Sequence, residues 1–239
     1  MNDYSRLPLT KSAEKISRDS LAGWLAHSHK IDASGDGAFG DGGSSDDAES
    51  AIQMHAGKTL KPAAVLILVI NQADAPTVLL TQRTAHLTDH AGQISFPGGR
   101  VEADDRDPLH TALREAEEET GVEADRIEII GTIPHYTTGT GYLITPVVGW
   151  MEPPVTYRPD PTEVEECFEV PFEFLIDINN HRLETAMYKG RMRSYYALPY
   201  GHRYIWGATA GILVTLTRVL GAAQGREVGQ PIRRAPDSG

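Results

Sequence analysis

The sequence predicts an α/β fold in which a mixed sheet is packed between helices. Segments typical of strands are interleaved with two long segments that have helical periodicity. The chain has 239 residues, 40% of them hydrophobic, which is enough for one domain with a sizeable core plus appendages. Glycine shows no triplet period and heptads are absent, so collagen-like and coiled-coil proteins are excluded. The single Cys167 excludes an internal disulfide framework and favours a reducing compartment.

The net charge and hydropathy of the chain limit the classes of partner that we expect it to bind. Lys plus Arg number 22 against 33 Asp plus Glu, a net charge of −11. That balance argues against a surface that neutralises nucleic-acid phosphates, and it suits a metal-binding carboxylate cluster better. The longest aliphatic run, residues 63–70, is too short to span a bilayer, and the N-terminus shows no targeting segment. We therefore expect a cytoplasmic protein with neither nucleic-acid nor membrane partners.

The first 58 residues are predicted to be an N-terminal extension. Leu21, Trp24 and Leu25 lie at helical spacing and predict one short amphipathic helix. Residues 33–50 are rich in glycine, serine and acidic residues, a composition typical of a flexible acidic linker. Neither segment indicates a chemical function.

A folded domain is predicted over residues 59–221, followed by a disordered tail over residues 222–239. Its first strands are residues 63–70 and 77–83, which suggest a hairpin because a turn-forming segment separates them. A short strand at residues 93–96 precedes a Pro-Gly-Gly turn.

The next element is a helix over residues 108–120. Asp107 is a suitable N-cap, Pro108 suits the first helical position, and Gly121 suits a left-handed C-terminal cap. Apolar residues recur on one face of this helix, and acids occupy the other. Further elements follow it: strands at residues 126–134, 143–151, 163–170 and 191–198, a helical turn at 172–178, and a final helix at 204–220.

The acidic face of the helix over residues 108–120 is the strongest chemical feature. Glu115, Glu118 and Glu119 share one side at spacings of three and four residues, whereas Glu117 points away. Such crowding costs repulsion unless a cation neutralises it, and Mg²⁺ or Mn²⁺ prefers carboxylate ligands. Arg114 lies four residues before Glu118 and can hold that carboxylate in place. Solvated acidic faces are commoner than metal sites, so a second signal is needed.

That second signal is the glycine pair Gly98-Gly99, which precedes the helix. Glycine lets the backbone approach a phosphate or metal closely. Together, Gly99, Asp105 and residues 114–122 (REAEEETGV) resemble the box of the Nudix hydrolases, with Asp105 where that family usually has Glu. The resemblance implies a Nudix-like α/β/α sandwich and a metal-dependent hydrolase that cleaves a nucleoside diphosphate linked to another group.

A further resemblance concerns one branch of that family, the coenzyme A diphosphatases. It rests on residues 79–83 (LLTQR), Gly92 and residues 96–99 (FPGG), and it extends downstream through residues 205–210 (IWGATA). The implied reaction cleaves coenzyme A or acyl-coenzyme A to 3′,5′-ADP and 4′-phosphopantetheine or its acyl form. Thr84 and Thr88 differ from the branch motif, so ADP-ribose, dinucleoside polyphosphates and nucleoside triphosphates stay open as substrates.

The resemblance also implies roles for individual residues. Glu115, Glu118 and Glu119 are the expected metal ligands, and Arg114 is the expected electrostatic brace. Glu118 and Glu163 are candidates for the base, the latter because residues 163–164 match a family Glu-Val pair. The expected substrate-binding residues are Arg83, Gly98 and Gly99.

Two expectations complete the sequence-based interpretation. Cys167 has acidic neighbours that would raise its pKa, so thiol catalysis is not expected. Tyr195, Tyr196 and Trp206 are expected in the core or at a homodimer contact. A non-catalytic nucleotide-sensing module is an alternative from another functional class, but such a protein would be expected to lose a box carboxylate, and Glu115, Glu118 and Glu119 are all present.

Overall fold

The computed structural model describes residues 16–26, 28, 34–35, 59–85, 92–188 and 191–233. The described helices are α1 (Arg18–Leu25), α2 (Pro108–Thr120), α3 (Phe172–Ile176) and α4 (Ala208–Ala223), with 3₁₀ turns at Ala124–Arg126 and Ile178–Asn180. The described strands are β1 (Ser34–Gly35), β2 (Lys61–Ile70), β3 (Thr77–Arg83), β4 (Ile94–Ser95), β5 (Gly98–Arg100), β6 (Glu128–Thr132), β7 (Tyr136–Thr137), β8 (Tyr142–Met151), β9 (Val164–Pro171), β10 (Arg182–Tyr188), β11 (Arg191–Tyr200), β12 (Arg203–Trp206) and β13 (Ile232–Arg233).

Strand β2 is the centre of a mixed sheet. It runs parallel to β8 along its whole length and antiparallel to β5, and its last two residues pair antiparallel with β3. Within the described residues the sheet has nine strands, with the main order β1-β7-β8-β2-β3-β4, while β5, β6 and β9 pair with β2, β8 and β3. The predicted hairpin between β2 and β3 is therefore confined to Val69–Ile70 and Thr77–Val78, because β5 occupies the other end of β2.

The two faces of β2 bury their side chains in different layers. Ala64, Leu66 and Leu68 share a core cluster with residues of α2, whereas Ile67 and Val69 belong to the cluster that contains residues of α1 and α4. Side chains alternate between the faces of a strand, so a nearly continuous apolar run is needed when both faces are covered. The predicted mixed sheet between helices, an α/β/α sandwich, is confirmed.

Helix α2 begins and ends at the residues that the sequence predicts. The Asp107 carboxylate accepts a hydrogen bond from the His110 N–H at 2.8 Å, and Pro108 occupies the first turn. Gly121 ends the helix with φ +70°, in the left-handed region, where its N–H donates to the Glu117 carbonyl at 2.8 Å. Ala112 and Ala116 are completely buried, so the opposite side of the helix is free to present its carboxylates.

Helix α1 belongs to the core of the domain. Ser17 and Ser20 form a capping box at its start, and Leu21 and Leu25 are almost completely buried. The Leu25 side chain lies against Gly131, where a Cβ would approach Leu25 Cβ to 3.1 Å. The predicted amphipathic helix is therefore present, and its apolar face is covered by the sheet layer. The predicted linker, residues 33–50, lies outside the described residues except for Ser34–Gly35, which pair with β7.

A smaller sheet corrects the sequence-based boundaries near the C-terminus. Within the described residues it has the order β12-β11-β10-β13. Residues 204–206, predicted as the start of the final helix, belong to β12 instead, with Ile205 opposite Leu198 in the core. Gly207 has φ +67°, which separates this strand from α4. Gly98 and Gly99, predicted in a Pro-Gly-Gly turn, form β5 together with Arg100.

The end of the chain also departs from the prediction of a disordered tail after residue 221. Helix α4 continues to Ala223, and β13 pairs in parallel with β10. Residues 234–239 lie outside the described part. Tyr196 lies in the core, whereas Trp206 is 42% exposed, and a dimer contact through it stays a prediction. No helix in the described ranges combines the length and the apolar character needed to cross a membrane.

Candidate active site

The candidate site lies where α2 meets one end of the large sheet. Strand β3 ends there with Arg83, which pairs with Val164 at the start of β9, next to Glu163. Strand β5 brings Gly98 and Gly99 to the same end, because it pairs antiparallel with the first half of β2. Residues that are far apart in the sequence therefore meet beside the last turns of α2.

The glycine pair allows close packing between β5 and the acidic helix. A Cβ on Gly99 would overlap the Glu115 carboxylate, and a Cβ on Gly98 would come within 2.6 Å of Val65 Cα. The Gly98 N–H donates to the Glu119 carboxylate. These two positions therefore need glycine for steric reasons, and the backbone lies in direct contact with both glutamates.

Glu119 is a buried carboxylate with incomplete hydrogen bonding. Its side chain is 7% exposed, and its Oε2 has no hydrogen-bond partner in the structure. Burial and the nearby charge of Glu115 raise the pKa of Glu119 to about 8, although Arg83, with Nη1 4.0 Å from Glu119 Oε1, acts in the opposite direction. An orphaned buried oxygen is costly unless a ligand or cation satisfies it.

Glu115 faces the same region one helical turn earlier. Its side chain is 16% exposed, and its Oε1 lies 3.0 Å from Arg114 Nη2. Burial raises the pKa of Glu115 in spite of the neighbouring Arg114, and the charges of Glu118 and Glu163 raise it further. The electrostatic coupling among these carboxylates shows that they lie close enough to repel one another.

Arg114 hydrogen-bonds to two carboxylates, Glu118 on α2 and Asp105 in the loop before it. Its Nη1 donates to Glu118 Oε2 at 2.9 Å, the contact expected from their spacing. Its Nε and Nη2 each donate to Asp105 at 3.0 Å, one to each carboxylate oxygen. This forked geometry fixes the plane of the guanidinium, which a lysine ammonium cannot reproduce.

Asp105 is the residue whose role the sequence did not reveal. Its side chain is only 1% exposed, and it accepts hydrogen bonds from the Glu102 N–H and the Thr111 hydroxyl as well as from Arg114. These contacts, with Arg114 the strongest, hold the pKa of Asp105 far below its ordinary value. It anchors Arg114 to the loop before α2. The available signal was its place in the motif, where an acid precedes the arginine.

The three predicted metal ligands differ in their surroundings. Glu115 and Glu119 are turned inward, whereas the Glu118 side chain is 60% exposed and paired with Arg114. In the described part of the chain, no group of three or more acidic, His or Cys side chains is close enough to hold a metal ion. Glu117 is exposed, as expected from its spacing.

The chemistry of the donor set nevertheless fits a divalent cation. Glu119 Oε2 is buried without a partner, and a second half-buried carboxylate, Glu115, lies close enough to repel it. A cation such as Mg²⁺ or Mn²⁺ would satisfy that oxygen and remove the repulsion, and waters complete its coordination in most proteins. Glu118 would have to leave its ion pair with Arg114 to become a third direct ligand.

Arg83 lies between two acidic side chains. Its Nη1 is 4.0 Å from Glu119 Oε1, and its Nη2 is 3.5 Å from Glu163 Oε2. Glu163 is 51% exposed, so its carboxylate is open to water. The structure therefore brings the predicted substrate-binding arginine and the predicted base together with the buried glutamate.

Cys167 lies on β9 near this site, in surroundings that disfavour the thiolate. Burial raises the pKa of its thiol to about 11, and the charges of Glu119 and Glu166 add to the effect. The thiolate is the reactive form of cysteine, so these surroundings agree with the expectation that Cys167 is not a nucleophile, which stays a prediction. Its pKa is raised first by burial, and the acidic neighbours come second.

Comparisons with known proteins agree with this geometry. A model of the NUDIX domain family matches residues 60–189. A Citrobacter koseri protein described as the uncharacterized Nudix hydrolase NudL is 38% identical over 167 residues, which cover 69% of this chain and 86% of that relative. The protein of the same description from Escherichia coli strain K12 is 38% identical over 161 residues, which cover 67% and 83%.

Among solved structures, the MutT protein from Methanosarcina mazei Go1 is 17% identical and aligns with a TM-score of 0.44, covering 72% of this chain and 99% of that one. The family assignment rests on the domain model, whose matched residues include the glycine pair, the acidic helix and Arg83, and on the sequence relatives. The chain therefore belongs to the Nudix hydrolase family, whose members are pyrophosphatases acting on phosphorus-containing anhydrides.

Proposed function

We propose that this Nudix hydrolase cleaves the diphosphate of coenzyme A or acyl-coenzyme A, with Mg²⁺ or Mn²⁺ as cofactor. The products are 3′,5′-ADP and 4′-phosphopantetheine or its acyl form. The observation that carries the diphosphate chemistry is the buried Glu119 carboxylate, which has one unpartnered oxygen and lies beside Glu115. A polyanionic diphosphate would be repelled from this acidic site unless cations lay between them.

The cation would be held by Glu115 and Glu119, with Glu118 as a third ligand or as the group that orients water. When bound, it supplies charge neutralisation of the phosphate oxygens and lowers the pKa of a coordinated water. Arg114 keeps the Glu118 side chain in place through its anchor to Asp105. The N–H of Gly98 fixes the Glu119 carboxylate, and the absence of a side chain at Gly99 leaves room for Glu115.

Glu163 and Arg83 act on the substrate side of the site. Glu163 is exposed and acts as the base, taking a proton from the water that attacks one phosphorus. Attack forms a new P–O bond and breaks the bond to the bridging oxygen, which leaves with the second phosphate. Arg83 turns from the two carboxylates to a phosphate oxygen, where a charge-assisted hydrogen bond is strong.

The choice of coenzyme A among diphosphate substrates is supported by the residues of the branch motif. Leu79 and Leu80 are completely buried in the core, so they support the position of β3. Arg83, Gly98 and Gly99 are the motif residues that face the site. Thr84 is buried, and its hydroxyl donates to the Thr162 carbonyl at 3.4 Å, whereas Thr88 lies outside the described residues.

The test is a competition assay in which the protein is incubated with coenzyme A, ADP-ribose, a dinucleoside polyphosphate and nucleoside triphosphates. Mg²⁺ and Mn²⁺ are supplied separately, and products are identified by mass spectrometry. We expect 3′,5′-ADP and 4′-phosphopantetheine in the presence of metal and no products with a chelator. Absence of 3′,5′-ADP, with turnover of another substrate, would contradict the coenzyme A assignment and retain the hydrolase.

A further inference from the structure

A cationic cluster lies at the end of the sheet that carries the candidate active site. It consists of Lys61 at the start of β2, Tyr142 at the start of β8 and Arg100 at the end of β5. Lys61 pairs directly with Tyr142, and Arg100 pairs with Ala63. Paired residues, and residues two apart, point to the same face of a sheet, so the three side chains share one face.

Backbone contacts join this cluster to the candidate site. Arg100 follows Gly99, and its carbonyl oxygen accepts a hydrogen bond from Arg114 Nη2 at 3.3 Å. Arg100 is therefore one residue from the glycine that contacts Glu115. Gly99 pairs with Ala64, on the α2 face of β2, so the cluster lies on the opposite face of the sheet, and a substrate whose diphosphate lies against Gly98 and Gly99 would have to pass around the end of β5 to reach it.

The two cations lie against the ring of Tyr142. The distance from the ring centroid is 5.7 Å to Lys61 Nζ and 5.4 Å to Arg100 Cζ, both within the range of cation–π contacts. Lys61 and Arg100 are exposed. In the described part of the chain, no carboxylate lies within 4.0 Å of either charged group, whereas Arg18, Arg83, Arg114 and Arg203 are each paired with an acid. In a chain of net charge −11, this leaves two adjacent cations free to bind an anion.

The turn before β8 fixes the backbone of Tyr142. The Tyr142 N–H donates to the Thr138 hydroxyl at 3.0 Å, and the Thr138 N–H donates to the Tyr142 carbonyl at 2.9 Å. The Lys61 N–H donates to the Gly141 carbonyl at 2.9 Å, which ties β2 to the same turn. Residues 137–142 (TTGTGY) therefore place Tyr142 next to Lys61 and Arg100, where its ring contacts two long, flexible cationic side chains.

We propose that Lys61 and Arg100, positioned by Tyr142, bind a phosphomonoester of the substrate that lies outside the cleaved diphosphate. This inference rests on the proposed function, and it assigns the cluster to the 3′-phosphate of coenzyme A. A phosphomonoester is close to a dianion at neutral pH, and it presents several acceptor oxygens to a guanidinium and an ammonium group. ADP-ribose and dephospho-coenzyme A lack this group, so the cluster acts as a determinant of specificity.

The experiment compares coenzyme A with dephospho-coenzyme A in the full chain and in the double variant Lys61→Gln, Arg100→Gln. We expect kcat/KM for coenzyme A to fall at least about tenfold in the double variant, as for loss of a charge-assisted contact, with little change for dephospho-coenzyme A. Arg226→Gln, which removes an exposed cation after α4, is the matched control and should change neither substrate. An equal fall for both substrates, or no fall for either, would overturn the inference.

A binding measurement separates failure of this inference from failure of the proposed function. Calorimetry with 3′,5′-ADP and with AMP requires no turnover, and the two ligands differ only in the 3′-phosphate. We expect 3′,5′-ADP to bind at least about tenfold more tightly than AMP, and the double variant to lose that preference. Equal affinity of the unaltered protein for both ligands would refute the subsite even if coenzyme A is hydrolysed. The preference would support it even if coenzyme A is not hydrolysed.

The role of Tyr142 is tested by its own pair of variants. Tyr142→Phe retains the ring and should keep the preference for 3′,5′-ADP over AMP. Tyr142→Leu removes the ring and should reduce that preference, while affinity for AMP stays the same. Retention of the full preference in Tyr142→Leu would show that the ring does not position the cations.

Discussion

Asp105 lies in the loop before α2 and Glu119 in the last turn of that helix. Both carboxylates have little contact with solvent, but their surroundings differ sharply. Asp105 is 1% exposed and hydrogen-bonded by the Arg114 guanidinium, a backbone N–H and a hydroxyl, so its pKa is far below normal. Glu119 is 7% exposed, has an orphaned Oε2 and has its pKa raised to about 8. The pKa values move in opposite directions because hydrogen-bond donors surround the Asp105 carboxylate, whereas Glu119 lies deeper in the protein and beside another carboxylate.

This difference distinguishes a structural carboxylate from a functional one. A protein gains stability by saturating a buried anion with donors, as at Asp105. A buried carboxylate with an unpartnered oxygen is costly unless something else completes it, and under the proposed function a bound cation would do so at Glu119. Arg114 joins Asp105 to the acidic face of α2, because one guanidinium contacts Asp105, Glu115 and Glu118.

The largest expected effect is that of Glu119→Gln. Loss of this carboxylate should lower kcat by at least about 100-fold, because the loss of a residue that only hydrogen-bonds to a metal ligand already costs up to that factor. Thermal unfolding should be unchanged or occur at a higher temperature in metal-free protein, because Glu119 must either take up a proton or remain a buried anion on folding, whereas an amide needs neither. Steady-state kinetics with Mg²⁺ and thermal melts check both. Glu117→Gln, on the exposed side of α2, is the matched control, and unchanged turnover in Glu119→Gln would contradict the ligand assignment.

The next effect is that of Arg114→Lys. The ammonium of lysine cannot contact both oxygens of Asp105 and hold Glu118 at once, so the brace is lost although the charge is kept. We expect kcat to fall by about tenfold with a smaller change in KM, as for a residue that orients catalytic groups. Unchanged kcat and KM in this variant would show that a positive charge at position 114 is sufficient for activity and that the forked contact is not required.

A third effect is expected in stability. Asp105→Asn removes the charge that Arg114 pairs with and leaves the guanidinium partly unpaired, so the midpoint of thermal unfolding should fall by roughly 5 °C or more. Activity measured well below that temperature should fall less than in Glu119→Gln. Differential scanning calorimetry checks the first point, and a midpoint equal to that of the unaltered protein would refute the anchoring role.

The smallest effect is the pH dependence of stability in the presence of a chelator. Between the ordinary pKa of a glutamate and about 8, folded Glu119 keeps a proton that the unfolded chain releases, so its contribution to the free energy of unfolding should decline as pH rises across that interval. Asp105 has the opposite sign: its contribution is present at neutral pH and is lost in acid, below its ordinary pKa.

Urea unfolding at several pH values measures these dependences. Glu119→Gln should flatten the decline between about pH 5 and pH 8, and added Mg²⁺ should flatten it as well, because a bound cation favours the carboxylate. An identical decline in the variant would assign it to other groups.

Local signals in the sequence determined the acidic helix almost completely. Asp107, Pro108 and Gly121 act within one turn of the helix ends, so the bounds of α2 do not depend on distant residues. The same periodicity placed Glu115 and Glu119 on one side and Glu117 on the other. The fold class followed from the apolar runs, since a strand buried on both faces needs one.

Tertiary structure decided what depends on residues far apart in the chain. Residues 204–206 have an apolar pattern that suits a helix, yet they pair with β11 as part of strand β12. Residues 98–100 became a strand because β2 offers them a free edge. Whether a carboxylate is saturated or orphaned likewise depends on its surroundings: Asp105 meets Arg114 across a loop, and Glu119 meets Arg83 from another strand. Periodicity and capping depend on residues close in the sequence, whereas burial and hydrogen bonding depend on the packing of the whole fold. Only the structure could therefore distinguish Asp105, which anchors Arg114, from Glu119, the candidate metal ligand.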